Sequence, residues 1–152
     1  MFRTFMDDAL EEAAKALKRG EVPVGAVIVG ASSGDIIARA GNETRERLDP
    51  SAHAEVLAIR KACDTLKTDR LVNCDIYVTL EPCAMCAGLI ANARIRRIYF
   101  AASDPKSGGI QQGARVFDHE QTHHIPEIYP GIGEEKAVKL LRNFFATKRM
   151  KA

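Results

Sequence analysis

No apolar run in this chain approaches the roughly 20 residues that a membrane-crossing helix needs. Its first residues, Met1-Phe2-Arg3-Thr4, lack the apolar core of a secretion signal. Charge of one sign is hardly in excess: 22 Lys and Arg against 20 Asp and Glu leave a formal +2, too little to argue anything about nucleic acid. Internal repeats, low-complexity tracts and Pro-rich linkers are absent as well. These absences point away from a membrane protein, a repeat array and a string of domains. At 152 residues the expectation is one well-cored domain spanning 1–152, in the cytoplasm. Cysteine is scarce too, at four: Cys63, Cys74, Cys83 and Cys86. Without a secretion signal, a Cys-x-x-Cys reads better as a metal site than as disulfides.

What is present is concentrated in two stretches, Pro50-Ser51-Ala52-His53-Ala54-Glu55 and Glu81-Pro82-Cys83-Ala84-Met85-Cys86. A catalytic zinc takes three protein ligands and leaves one position for water, and soft thiolates with an imidazole suit that ion. His53, Cys83 and Cys86 supply three ligands, and Glu55 supplies an acid beside them. A structural zinc would want a fourth protein ligand, which His119, His123 or His124 could offer. A redox use of the Cys-x-x-Cys lacks the upstream context such a motif needs. Cys63 and Cys74 read as small packed residues.

Thr4 to Arg19 carries apolar residues at helical spacing, with Thr4 and Asp7 forming a capping box and Gly20 ending the helix. Val22 to Val29 is nearly continuous apolar, as in a strand covered on both faces, and Ile36 to Ala40 returns from a turn as a hairpin partner. Ser51 is placed to cap a helix that carries His53 and Glu55 in its first turn. Ile76 to Leu80 reads as a buried strand, and Pro82 as the first position of a second ligand helix running to about Ala93. Ile95 to Ala101 forms another strand and His124 to Tyr129 a short fifth one. Glu134 to about Lys148 makes a last helix. Strands alternating with helices after a hairpin imply a mixed sheet with helices on both faces. Phe144 and Phe145 on the last helix cannot share one face, so one belongs to the core and the other to the surface or a pocket.

The pattern His-x-Glu followed by Pro-Cys-x-x-Cys resembles that of the zinc nucleobase deaminases. Over nearly its whole length the chain resembles the cytidine-deaminase-like superfamily, and within it the bacterial tRNA-specific adenosine deaminases. Further matching stretches are Glu21-Val22-Pro23-Val24-Gly25-Ala26, Gly41-Asn42, Asp104-Pro105-Lys106-Ser107-Gly108 and Phe144-Phe145. The chain departs from the family pattern after Lys106, where Gly108-Gly109-Ile110-Gln111-Gln112-Gly113 follows.

This resemblance implies a three-layer α/β/α fold around a mixed five-stranded sheet, with one zinc ion per subunit on His53, Cys83 and Cys86. It implies hydrolytic deamination of adenosine to inosine at the wobble position of a tRNA anticodon. Water activated at the zinc would attack C6, with Glu55 as proton shuttle. Val24 would pack on the base, Asn42 would bond the base or its ribose, and Asp104 would contact the nucleotide near the ribose. Phe145 is a further substrate-contact candidate. A homodimer with the tRNA anticodon stem-loop across its interface is also implied. From Lys136 onward, Lys136, Lys139, Arg142, Lys148, Arg149 and Lys151 carry positive charge beside the two phenylalanines, which suits an RNA backbone or equally a solvated helix end. The rival readings are a deaminase of a free base or nucleoside (guanine, cytosine or cytidine) and a catalytically silent zinc module that binds RNA.

Overall fold

The computed structural model describes residues 4–151, and side chains within 4–149. The reading of the extreme N-terminus and the charge of Lys151 therefore fall outside the described residues. Helix α1 (Phe5–Lys18) starts on the expected capping box: the Thr4 hydroxyl accepts the Met6 N–H and the Asp7 carboxylate accepts the Thr4 N–H. Strands β1 (Gly25–Gly30) and β2 (Ile36–Gly41) form an antiparallel hairpin. Next come α2 (Ala54–Leu66), β3 (Cys74–Leu80), α3 (Ala84–Asn92), β4 (Arg97–Ala102), β5 (Glu127–Pro130) and α4 (Glu134–Lys151). A short 3-10 turn at Val116–Asp118 precedes β5.

The five strands run in the order β2-β1-β3-β4-β5. The β1 pairings are antiparallel, whereas β3–β4 and β4–β5 are parallel. Alternation along β1 decides which residue serves which layer. Ala26 and Ile28 join Ile76, Val78, Ile98 and Phe100 against α2 and α3, while Val27 and Val29 face α1 and α4 with Met6, Leu10 and Ala137. The result is the expected three-layer α/β/α sandwich around a mixed five-stranded sheet. On the α1 side, Tyr77, Tyr99 and Tyr129 occupy the same register on β3, β4 and β5. Their rings stack at 4.3 and 5.0 Å between centroids.

Strand β4 starts at Arg97 rather than Ile95 and β5 at Glu127 rather than His124, and three boundaries nearer the site also differ from the sequence reading. Val22 to Val24 stays outside β1, because Pro23 has no N–H to give a ladder and the Val24 N–H turns back to the Val22 carbonyl. The strand begins at Gly25, where α1 approaches so closely that a Cβ would lie 2.0 Å from the Ala9 carbonyl oxygen. Ser51 does not cap α2: its N–H and hydroxyl both bond the Asp49 carboxylate, and His53 holds the cap position instead. Likewise Pro82 lies one residue before the cap of α3, which is Cys83. On α4, Phe144 is the core residue (5% exposed) and Phe145 the surface one (45%).

Candidate metal centre and its pocket

Helices α2 and α3 each begin on an extended cap residue, His53 and Cys83, and neither of these side chains caps its own helix. The first N–H of α2, on Ala54, is satisfied from elsewhere: the Asn42 side-chain oxygen accepts it at 2.8 Å. That borrowed cap leaves the His53 ring free to turn toward the sulfurs. Its Nδ1 lies 3.7 Å from Cys83 Sγ and 3.5 Å from Cys86 Sγ, and one ligand atom from each of the three residues falls within 4.8 Å of the others.

The electrostatics of the trio are those of a dithiol that shares one proton. The Cys83 thiol is pulled down to about 4, first by the hydrogen bond from Cys86 and then by the one from His53. Cys86 is pushed up because it holds its proton against the Cys83 sulfur and is buried. The hydrogen bond to Cys83 raises His53. A divalent ion would displace the remaining thiol proton. An S,S,N donor set at the facing N-termini of two helices, where partial positive charge favours thiolate, fits zinc. Among the described residues, no further His, Cys, Asp or Glu joins this group. His119 and His124 are engaged elsewhere, with Nε2 2.9 Å from the Ala114 carbonyl and 2.6 Å from the Ile95 carbonyl. The donor set is that of a three-ligand, open site rather than a closed structural one.

Above the trio is a cavity of about 230 Å³ lined by Val24, Asn42, His53, Glu55, Cys83 and Asp104, joined by Val22, Thr44, Leu80, Glu81 and Ser107. The pocket thus gathers every site residue expected from the sequence except Cys86, which is fully buried beneath it, and Phe145, which lies on α4 and does not line it. The Glu55 carboxyl is almost fully buried (4% exposed), and this burial raises its proton affinity.

The sequence reading missed the groups that hold the rim. Glu81, 2% exposed, accepts the backbone N–H groups of Asp104, Ile110, Gln111 and Gln112 at 2.8–3.1 Å and the Ser103 hydroxyl at 3.2 Å. Burial alone would raise its carboxyl, but those N–H donors outweigh it and hold it below the usual range. Across the pocket, Glu21 (1% exposed) accepts the N–H groups of Arg45 and Glu46 at 3.1 and 3.0 Å. An acid directly beside a buried apolar stretch was the available signal in both cases.

Residues 2–102 match the family described as the cytidine and deoxycytidylate deaminase zinc-binding region. A tRNA-specific adenosine deaminase of Agrobacterium fabrum is 51% identical over 146 residues, covering 96% of this chain and 95% of that protein. One from Bacillus subtilis is 44% identical over 149 residues, covering 97% and 90%. A solved structure from a study of A-to-I editing at the wobble position of transfer RNA superposes with a TM-score of 0.88 at 50% identity, covering 90% of this chain and 98% of that one. A guanine deaminase from Nitrosomonas europaea, 23% identical with a TM-score of 0.81 over 93% of this chain and 82% of its own, shares the fold. The chain belongs to the tRNA-specific adenosine deaminase family, within the zinc-binding cytidine and deoxycytidylate deaminases.

Proposed function

We propose that this protein hydrolyses adenosine to inosine and ammonia at the wobble position of a tRNA anticodon. The observation that carries the reading is the buried Glu55 carboxyl beside a three-ligand donor set at the floor of one pocket. His53, Cys83 and Cys86 would hold one zinc ion, which supplies Lewis acidity toward water when bound.

The remaining chemistry falls to the chain's own groups. Glu55 takes a proton from the attacking water and passes it to ring nitrogen N1, which makes C6 electrophilic toward the hydroxide left behind, and then carries the proton of the new C6 hydroxyl to the departing amine. Val24 would pack on the base. Asn42, whose oxygen is occupied by Ala54, would offer its amide N–H to the nucleoside. Asp104 and Ser107 would face the ribose side from the loop that Glu81 anchors.

The target base must leave its stack to reach this floor, which favours a single-stranded anticodon loop over a duplex. Phe145, exposed on α4, would meet RNA beyond the target nucleotide. The basic side chains of α4 support that contact only in part. Lys136 pairs with Asp7 and Lys148 sits over the Phe144 ring, so both also serve the fold. We read 1–152 as one domain working as a cytoplasmic homodimer with tRNA across its interface. Among the described residues, no helix is long and apolar enough to cross a membrane.

The test is to incubate zinc-loaded protein with an anticodon stem-loop bearing adenosine at the wobble position, and to assay inosine. Free adenosine, cytidine and guanine run alongside. Inosine from the stem-loop alone, lost in Glu55→Ala, supports the reading. Turnover of a free base or nucleoside alone overturns the RNA substrate and keeps the deamination.

A further inference from the structure

At the end of the sheet opposite the catalytic pocket, where β3, β4 and β5 begin, an open cavity of about 520 Å³ is lined by Arg70, Arg94, Arg96 and His124 with Val72 and Ile125. Its one lining carboxylate, Glu127, is already engaged by the Arg97 guanidinium. Arg96 is fixed in place by a bidentate pair with the buried Asp75 carboxylate, at 2.9 and 2.7 Å. The Arg70 and Arg94 guanidinium groups, in contrast, have no ion pair or hydrogen bond among the described residues.

The remaining features give that pair of free charges a shape. Arg94 follows Ala93, the C-cap of α3, with φ of 61°, where glycine or asparagine is the favoured residue. An arginine there is held against its backbone preference. The His124 Nε2–H donates to the Ile95 carbonyl, which fixes the ring and leaves Nδ1 as its other polar atom. Val72 and Ile125 are 53% and 57% exposed beside these cations. Guanidinium groups next to exposed aliphatic carbons suit a phosphate with its sugar attached.

We propose that this cavity is a second binding site that takes a backbone phosphate of the tRNA, away from the target base. The proposal rests on the tRNA reading above. β3 runs from one site to the other, and its seven residues span about 20 Å at ~3.3 Å each. A nucleic-acid duplex covers that distance in about six base pairs at ~3.4 Å per step. A stem of that length reaches it.

The experiment pairs Arg70→Ala with Arg94→Asn, asparagine being tolerated at positive φ, and places both on the Glu55→Ala background. Binding of full-length tRNA is then followed against salt, so that no step depends on deamination. A Lys15→Ala/Lys18→Ala double variant removes equal charge from α1. The arginine variant is expected to bind tRNA about tenfold more weakly at low salt and to lose about one unit of log–log salt slope, for the one phosphate it no longer neutralises. With Glu55 restored, kcat/KM for full-length tRNA falls relative to that for a short anticodon loop. Unchanged tRNA affinity and slope, or an equal loss in the lysine variant, overturns the proposal. If adenosine monophosphate binds the parent but not the arginine variant while tRNA binding is unchanged, the site takes a free nucleotide and the RNA assignment is overturned. Absence of inosine from Glu55-intact protein would count against the proposed reaction, while the tRNA binding curves still decide this site.

Discussion

Glu21 and Glu81 are counterparts across the catalytic pocket: each is a buried carboxylate that accepts backbone N–H groups from a rim loop more than twenty residues further along the chain. One holds the loop carrying Thr44, the other the loop carrying Asp104 and Ser107. The rim is thereby tied to the interior as well as to its own neighbours.

Glu81→Gln should loosen the second loop. An amide removes the negative charge and points a donor at N–H groups that need an acceptor, at a cost of roughly 2–4 kcal/mol for a buried charged acceptor. KM for the stem-loop should rise more than kcat falls, with zinc content unchanged. Kinetics and metal analysis on the same preparation check this; a fall in kcat alone would count against the anchoring role.

Glu55→Ala should separate metal binding from chemistry. Losing the proton shuttle should cut kcat by about 10²- to 10⁴-fold, with one zinc still bound per chain. Cys86→Ala should lose zinc and activity together, since it removes one of three ligands. Metal stoichiometry beside an inosine assay distinguishes the two variants.

Gly109→Ala should disturb both halves of the site. A Cβ there would lie 2.6 Å from the Ala84 nitrogen and 2.7 Å from the Cys83 carbonyl carbon. These are backbone atoms at the start of α3, so relief requires the loop or the helix to move, at about 1–3 kcal/mol or more. A lowered melting temperature and weakened zinc retention against a chelator are the expected outcomes, and wild-type behaviour in both would contradict the close packing.

Tyr77 should ionise well above the ordinary phenol range. Burial, with Tyr99 against it, pushes its phenol from 10.0 up to about 12. The folded state holds this proton longer than the unfolded one. Its contribution to stability is therefore complete below pH 10 and is lost as pH rises through about 12. A phenolate absorbance titration should show a step near pH 12 that Tyr77→Phe abolishes. An unchanged step near pH 12 in that variant would count against the assignment to Tyr77.

The candidate metal-ligand group was legible because its residues are local in sequence: His53 with Glu55 on one helix start, Cys83 with Cys86 on the other. Layering was legible from the strand and helix periodicity. The Ser51 cap failed because Asp49, two residues earlier, competed for its N–H and hydroxyl, while Asn42 supplied the cap to Ala54 from β2's end. The glutamate anchors were not legible because their partners lie 22–31 residues away, a separation that no local pattern encodes. Phe145 was placed by likeness to the family motif; its exposed position on α4 follows from Phe144 taking the core face.

A loop that must order when its ligand arrives gives up about 1–2 kcal/mol of backbone entropy per residue at that moment. In this protein, where interior carboxylates already bind the rim loops, that loss occurs during folding. An arriving nucleotide meets walls that are already in place, and the free energy of its contacts goes into holding and orienting the base.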